Sequence, residues 1–240
     1  MNLQLLNIDG KTILPIVLYG DNRAGRENKV LQYNHKVMAE KFGLPMNYLK
    51  MPFPGVSHGQ CMNWIINQTI DSIKPDFYWF NDIDCIILKK QTVDIFFNLV
   101  KDKMGIAGHC QQSNHKKNKI TNSTIHCFPS QAFLWFSSEW YNKIGRPNMD
   151  HYSDESDDFG GDTAELLAYK TKESGGIVSV IYPSHVIDPF SPVDSGLFFG
   201  RGNTFGNNLL YHQMRGDLEI SEDEFINICK KVLAGEFESN

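Results

Sequence analysis

The sequence holds few of the marks that assign a class at once. Its five cysteines, Cys61, Cys85, Cys110, Cys127 and Cys229, are odd in number and include no C-x-x-C pair. That excludes a disulfide framework or a zinc ribbon as the organising device, and a reducing, cytoplasmic setting is expected. The opening residues MNLQLLNIDGK carry no basic leader ahead of an apolar run, so no secretory signal is expected. Long hydrophobic runs are also missing: ILPIVLY at 13–19 falls far short of the ~20 residues that span a bilayer. Neither sign of charge dominates. Lys and Arg total 23 against 28 Asp and Glu, a formal charge of −5, which argues against a general polyanion-binding surface but leaves room for a local basic patch on phosphates. No dense glycine-rich phosphate loop lies between Ile13 and Arg26, only Gly20 and Gly25, which weakens a nucleotidyltransferase reading. No internal repeat or break in composition divides the 240 residues, so one domain over 1–240 is expected.

What is present is an alternation of strand and helix patterns. Ile13 to Tyr19 is a nearly continuous apolar run closed by Gly20 and Asp21, the pattern of a strand buried on both faces. Arg26 to Phe42 predicts a helix, stopped by Gly43 and Pro45. Met46 to Met51 predicts a second strand, and Ser57 an N-cap for a helix to about Ile73. Phe77 to Phe80, Cys85 to Leu88, Gly105 to Gly108, Ala132 to Phe136 and Ile177 to Tyr182 read as strands. Thr92 to Asp102, a segment around Trp140 and Tyr141, and Thr163 to Glu173 read as helices. The order implies an α/β fold with a mixed, mostly parallel sheet flanked by helices. Gln111 to Thr124 and the acid-rich Asp150 to Asp162 read as loops, and Ser221 with Glu224 as a capping box before a final helix.

The most informative segment is DFYWFNDIDCIIL, Asp76 to Leu88, where an apolar strand delivers Asp82 and Asp84 to its C-terminal end. Open α/β sheets bind ligands at that edge. Positions two apart on an extended chain point the same way, so both carboxylates can face one ligand. Two hard oxygen donors suit Mg²⁺ or Mn²⁺, which also coordinates nucleotide phosphates. Acids inside an apolar frame need such a cation, or ample hydrogen bonding, to offset desolvation. The plain alternative is a turn in which Asp82 caps a backbone amide.

On these residues, together with the strand–turn–helix order before them and a helix starting near SHGQCMNW, the chain resembles the GT-A fold glycosyltransferases. The resemblance covers most of the chain as architecture and is sharp at Asp82-Ile83-Asp84. It implies a GT-A-like (Rossmann-like) fold, with 1–110 as the nucleotide-binding half and 111–240 as the acceptor-binding half and C-terminal lid. It makes Asp84 a metal ligand and Asp82 its companion on the nucleotide side. A third metal ligand is implied late in the chain, and the matching candidate is His212 in LLYHQMRGD. Arg215, three residues on, is the candidate for the pyrophosphate, although His-x-x-Arg-Gly differs from the His-x-Gly-x-x-Lys pattern of some retaining members.

The resemblance also implies a general base for an inverting reaction, and Asp162 in GGDTAELL is the residue at that place. A helix-capping Asp162 with Glu165 completing a capping box is the competing reading, and Glu165 is the alternative base. Donor contacts fall to the turn after the first strand, with Tyr19 for stacking, Asp21 and Asn22 for the base edge, and Arg23 for phosphate. His58 and Asn63 are second-rank candidates beside the nucleotide, and His109 reads as a structural histidine. The Gly-, Pro- and Asn-rich 189–208 segment has a lid's composition, with Arg201 available for phosphate.

The implied function is metal-dependent transfer of a sugar from a nucleotide diphosphate sugar, a UDP-sugar first, to a hydroxyl acceptor with Mn²⁺ or Mg²⁺. A glycan, or a hydroxymethylated DNA base met by Lys116, Lys117 and Lys119, is among the acceptors considered. A nucleotidyltransferase and a non-catalytic nucleotide-sugar-binding protein are the alternatives. No membrane span is expected.

Overall fold

The structure is a computed structural model that describes residues 2–20, 26–51, 56–102, 104–112, 127–150, 152–154, 159–192, 198–213 and 219–238. The chain opens with strands β1 (Leu6–Ile8) and β2 (Lys11–Tyr19), then helix α1 (Arg26–His35), which winds on as a π-helical segment over Lys36–Lys41. Strand β3 (Asn47–Lys50), helix α2 (His58–Thr69), strands β4 (Phe77–Asp82) and β5 (Cys85–Ile87) and helix α3 (Gln91–Val100) follow. Next come β6 (Gly105–Gln112), β7 (Cys127–Ser137), α4 (Ser138–Lys143), β8 (Tyr152–Asp154), β9 (Phe159–Gly161) and α5 (Glu165–Glu173). The last elements are β10 (Ile177–Ile181), β11 (Pro183–Pro192), β12 (Phe198–Phe205), β13 (Leu210–Gln213) and α6 (Glu219–Leu233).

Among the described residues the main sheet has the order β1-β2-β4-β7-β6-β10, with β3 also beside β2. Strands β3, β2, β4, β6 and β10 run one way; β7 and the short β1 run against them. The sheet is therefore mixed and mostly parallel, as the strand–helix alternation predicts. Successive positions of Ile13 to Leu18 in β2 and Phe77 to Phe80 in β4 are apolar because both faces are covered. Ile13 and Val17 of β2, Phe77 and Trp79 of β4, and Phe133 and Trp135 of β7 enter one core with α3, α6 and the π-helical segment. Their neighbours Leu14, Ile16, Tyr78, Phe80, Leu134 and Phe136 enter a second core with α2, α4 and α5. Period-two alternation thus sorts one apolar run into two cores. Pro15 is tolerated inside β2 because it falls where pairing with β1 ends, at Ile13, and pairing with β3 begins, at Ile16. Asn47 bridges that gap, donating to the Pro15 and Gln4 carbonyls.

Several sequence expectations are revised. Cys85 to Leu88 does not extend the main sheet: β5 turns away and pairs antiparallel with β13, in a second sheet of order β11-β12-β13-β5. Within the 189–208 segment, residues 189–192 end β11 and residues 198–205 form β12 of that sheet. Its glycine and asparagine serve close packing. A Cβ on Gly202 would stand 2.3 Å from the Tyr211 hydroxyl, and the buried Asn203 amide bonds both the N–H and the carbonyl of Gly200. The acid-rich 150–162 stretch contains the β8–β9 pair. Ser221 lies inside α6 (Glu219–Leu233) rather than at its cap. No helix among the described residues is long and apolar enough to cross a membrane.

Candidate metal centre at the end of β4

Strand β4 ends at Asp82, and the chain crosses from the main sheet to the second sheet through Ile83 and Asp84. The crossing is held by its backbone carbonyls. Asn34 of α1, fully buried, donates to the carbonyls of Ile83 at 2.8 Å and Cys85 at 2.9 Å. Asn81 donates to those of Asp82 at 2.6 Å and Cys85 at 2.8 Å. The backbone N–H of Gln213 donates to the Asp84 carbonyl at 2.9 Å, and Tyr48 fixes Asn34 by donating to its Oδ1. Two asparagines and one strand amide therefore build the turn.

His212 pairs in register with Cys85 across β13 and β5, which brings it back over the turn. One side-chain ligand atom from each of Asp82, Asp84 and His212 lies within 4.8 Å of the others, a group that could hold a metal ion. His212 Nε2 is 3.6 Å from Asp84 Oδ1, and His58 Nε2, in the first turn of α2, is 3.5 Å from Asp82 Oδ1. Burial pushes the Asp82 carboxyl up against the pull of His58. Burial and then the neighbouring Asp84 and Asp82 raise the Cys85 thiol well above its ordinary range. Burial, with His109 beside it, holds His212 well below the usual imidazole value. The residues could hold a metal ion: two carboxylate oxygens and one neutral imidazole are metal-ligand atoms, and a cation would offset the desolvation that Asp82 bears.

The other sequence candidates fall into three groups. Asp21, Asn22, Arg23, Arg215 and the lysines 116, 117 and 119 lie outside the described residues. Tyr19 ends β2 at the same sheet edge, one position beyond Leu18, which pairs with Asp82. Asp162 is tied to β6, where Gln111 donates to its Oδ2 at 3.4 Å, two residues on from His109. Ala164, in the left-handed region at φ 66°, is the residue immediately before α5. Glu165 makes the reach-back contact of the capping-box reading, accepting from the Asp162 N–H at 2.8 Å, and is buried, 3% exposed. Arg201 is drawn to Asp188, Nε to Oδ2 3.1 Å, away from any contact with the Asp82–Asp84–His212 group among the described residues. Asn63 is structural, holding the backbone at Met149 and the Asn148 side chain.

Sequence reasoning undervalued His58 and did not see Asn34 or the approach of His109 to His212. A histidine in the first turn of a helix that leads to β4 was the available sign for His58. An imidazole set directly behind the apolar start of β6, Gly105 to Gly108, was the sign for His109.

No family model and no curated protein matches this sequence. Among solved structures the chain is similar to A197 from STIV, with 12% identity over 83% of this chain and 93% of that one and a TM-score of 0.42. It is also similar to a glycosyltransferase involved in the glycosylation of the major capsid of PBCV-1, with 12% identity over 90% and 98% and a TM-score of 0.41.

Proposed function

We propose that this chain is a metal-dependent glycosyltransferase of GT-A-like architecture, moving a sugar from a nucleotide diphosphate sugar, a UDP-sugar in the first instance, to a hydroxyl acceptor. The observation that carries the reading is the convergence of Asp82, Asp84 and His212 at the C-terminal end of a parallel strand, the edge at which open α/β sheets take their ligands. A divalent cation held by these three residues supplies positive charge where the departing diphosphate gains negative charge.

The protein's own groups divide the remaining work. Tyr19 stacks on the base, Asp21 reads its edge, and Arg23 and Arg215 bind phosphate oxygens. Arg201 joins them only by leaving Asp188. Asp162 accepts the proton of the acceptor hydroxyl as the new glycosidic bond forms and the bond to the diphosphate breaks. Glu165 is committed to the Asp162 backbone and so leaves the base role to Asp162.

The test is incubation with nucleotide sugars and Mn²⁺. Release of nucleoside diphosphate, lost in Asp84→Ala, supports the reading. Pyrophosphate release from a nucleoside triphosphate and a sugar phosphate would replace it with nucleotidyl transfer, and binding without any turnover with a binding protein.

A further inference from the structure

His109 sits near the end of β6 and His212 on β13, and each is buried, 1% and 8% exposed. Their ring centroids are 4.8 Å apart with planes tilted by 41°. His109 Nδ1 lies 3.1 Å from the carbonyl oxygen of Cys110. A carbonyl has no proton to give, so Nδ1 carries the ring proton and Nε2 presents a bare lone pair. That Nε2 is buried and meets no hydrogen-bond partner among the described residues. Phe205 also lies against the ring, 4.4 Å between centroids, and offers no donor.

His212 has the complementary deficit. Its Nε2 faces Asp84, and a nitrogen that is to bind a cation must be unprotonated, which puts the proton of the neutral ring on Nδ1. Nδ1 is likewise buried and without a partner among the described residues. One orphaned donor and one orphaned acceptor therefore stand on adjacent rings. A hydrogen bond of ~2.9 Å between two imidazole nitrogens places the ring centroids roughly 5 Å apart, a spacing compatible with the 4.8 Å between these rings.

We propose that His109 is a positioning residue for the metal centre: its Nε2 accepts the Nδ1–H of His212 and fixes that ring with Nε2 turned toward Asp82 and Asp84. The Cys110 carbonyl, His109 and His212 then form one line of hydrogen bonds leading from the β6 backbone to the cation site. The inference rests on the reading of Asp82, Asp84 and His212 as metal ligands. It gives the main sheet control over a ligand carried by the second sheet. Such partners of ligating histidines set tautomer and ring orientation, and their loss commonly weakens metal binding by about 10–100-fold.

The test is calorimetric and paramagnetic-resonance titration of Mn²⁺ into the donor-free protein. His109→Phe keeps an aromatic ring against Phe205 but has no acceptor, and is expected to bind Mn²⁺ about 10–100-fold more weakly than wild type. His109→Gln carries an acceptor oxygen near the Nε2 position and is expected to recover most of the loss. Asp84→Asn is the control for the site itself. If Asp84→Asn weakens binding and His109→Phe does not, the positioning role is wrong and the metal site stands. If wild type binds no Mn²⁺, or Asp84→Asn binds it equally well, both fall. Should His109→Phe fail to fold, nitrogen-15 spectra of the wild-type imidazoles with Mg²⁺ decide. Protons on Nδ1 of both rings support the line of bonds, and a proton on Nε2 of His109 overturns it.

Discussion

His58 Nε2 stands 3.5 Å from Asp82 Oδ1, and the two differ in access to water: the His58 side chain is 38% exposed and that of Asp82 15%. The imidazole lies in the first turn of α2, behind a cap in which Ser57 accepts from the Gln60 N–H while Gln60 accepts from the Ser57 N–H. A group so placed touches the carboxylate from its open side without being part of either core. His58→Ala is expected to lower kcat/KM for donor turnover about tenfold and to leave the melting temperature nearly unchanged, as for other substitutions outside the core. Steady-state kinetics beside a thermal melt checks both halves.

Asn34 is a structural counterpart on the buried side. Asn34→Leu removes the donors to the Ile83 and Cys85 carbonyls and leaves the Tyr48 hydroxyl without its acceptor. A loss of about 1–3 kcal/mol of stability is expected, because the Ile83 carbonyl and the Tyr48 hydroxyl lose this partner, while the Cys85 carbonyl keeps Asn81. A weaker Mn²⁺ affinity is expected with it, because the turn that aims Asp84 loosens. Urea unfolding gives the first quantity and calorimetric titration the second.

Gly59 marks where α2 meets the chain that leads to Asp162. A Cβ there would stand 2.2 Å from the Asp150 Cα and 2.4 Å from the Met149 carbonyl oxygen, both backbone atoms that cannot rotate away. The same contact brings the Ser57 hydroxyl onto the Asp150 carboxylate. Gly59→Ala is expected to destabilise the protein by about 1–3 kcal/mol through overpacking. A shift in the midpoint of denaturant unfolding is the measurement.

At the opposite edge of the sheet, Asp76 ties the start of β4 to β2 by accepting from the N–H and the hydroxyl of Thr12, both at 2.8 Å. Partial burial raises its carboxyl, but the Thr12 hydrogen bonds and Lys11 outweigh that and hold it below the ordinary 3.8. A carboxyl lowered in the folded state contributes stability above its unfolded value, and that contribution is lost as pH falls through the lower folded value. Asp76→Asn is expected to reduce stability by only about 1 kcal/mol at neutral pH, since the carboxylate is partly solvated. The gap to wild type should close below pH 3.8, as seen in melts run from pH 7 downward.

The two-core sheet could be read in the chain because Ile13 to Val17 and Phe77 to Phe80 are apolar at odd and even positions alike, which only a strand covered on both faces requires. Asp82 and Asp84 were legible for a related reason: two acids set in such a run demand an explanation. The second sheet was not legible. Its edge strand β5 pairs with β13, a segment far away in sequence, and Gly200, Gly202 and Asn203 look like loop residues until the Tyr211 ring and the Gly200 backbone are seen against them. The same limit hid His109. Local pattern shows that a side chain is buried, but not which strand brings the residue facing it.

The Asp82–Asp84 crossing also has a mechanical meaning. Asp82 closes a strand of the main sheet, His212 belongs to the second, and Asp84 stands between them. An ion gripped by all three would rivet the two sheets together at the point where a single strand of backbone joins them. Saturation at 100 times the dissociation constant adds about 2.7 kcal/mol to the folded state, so chelation should leave this protein easier to melt as well as idle.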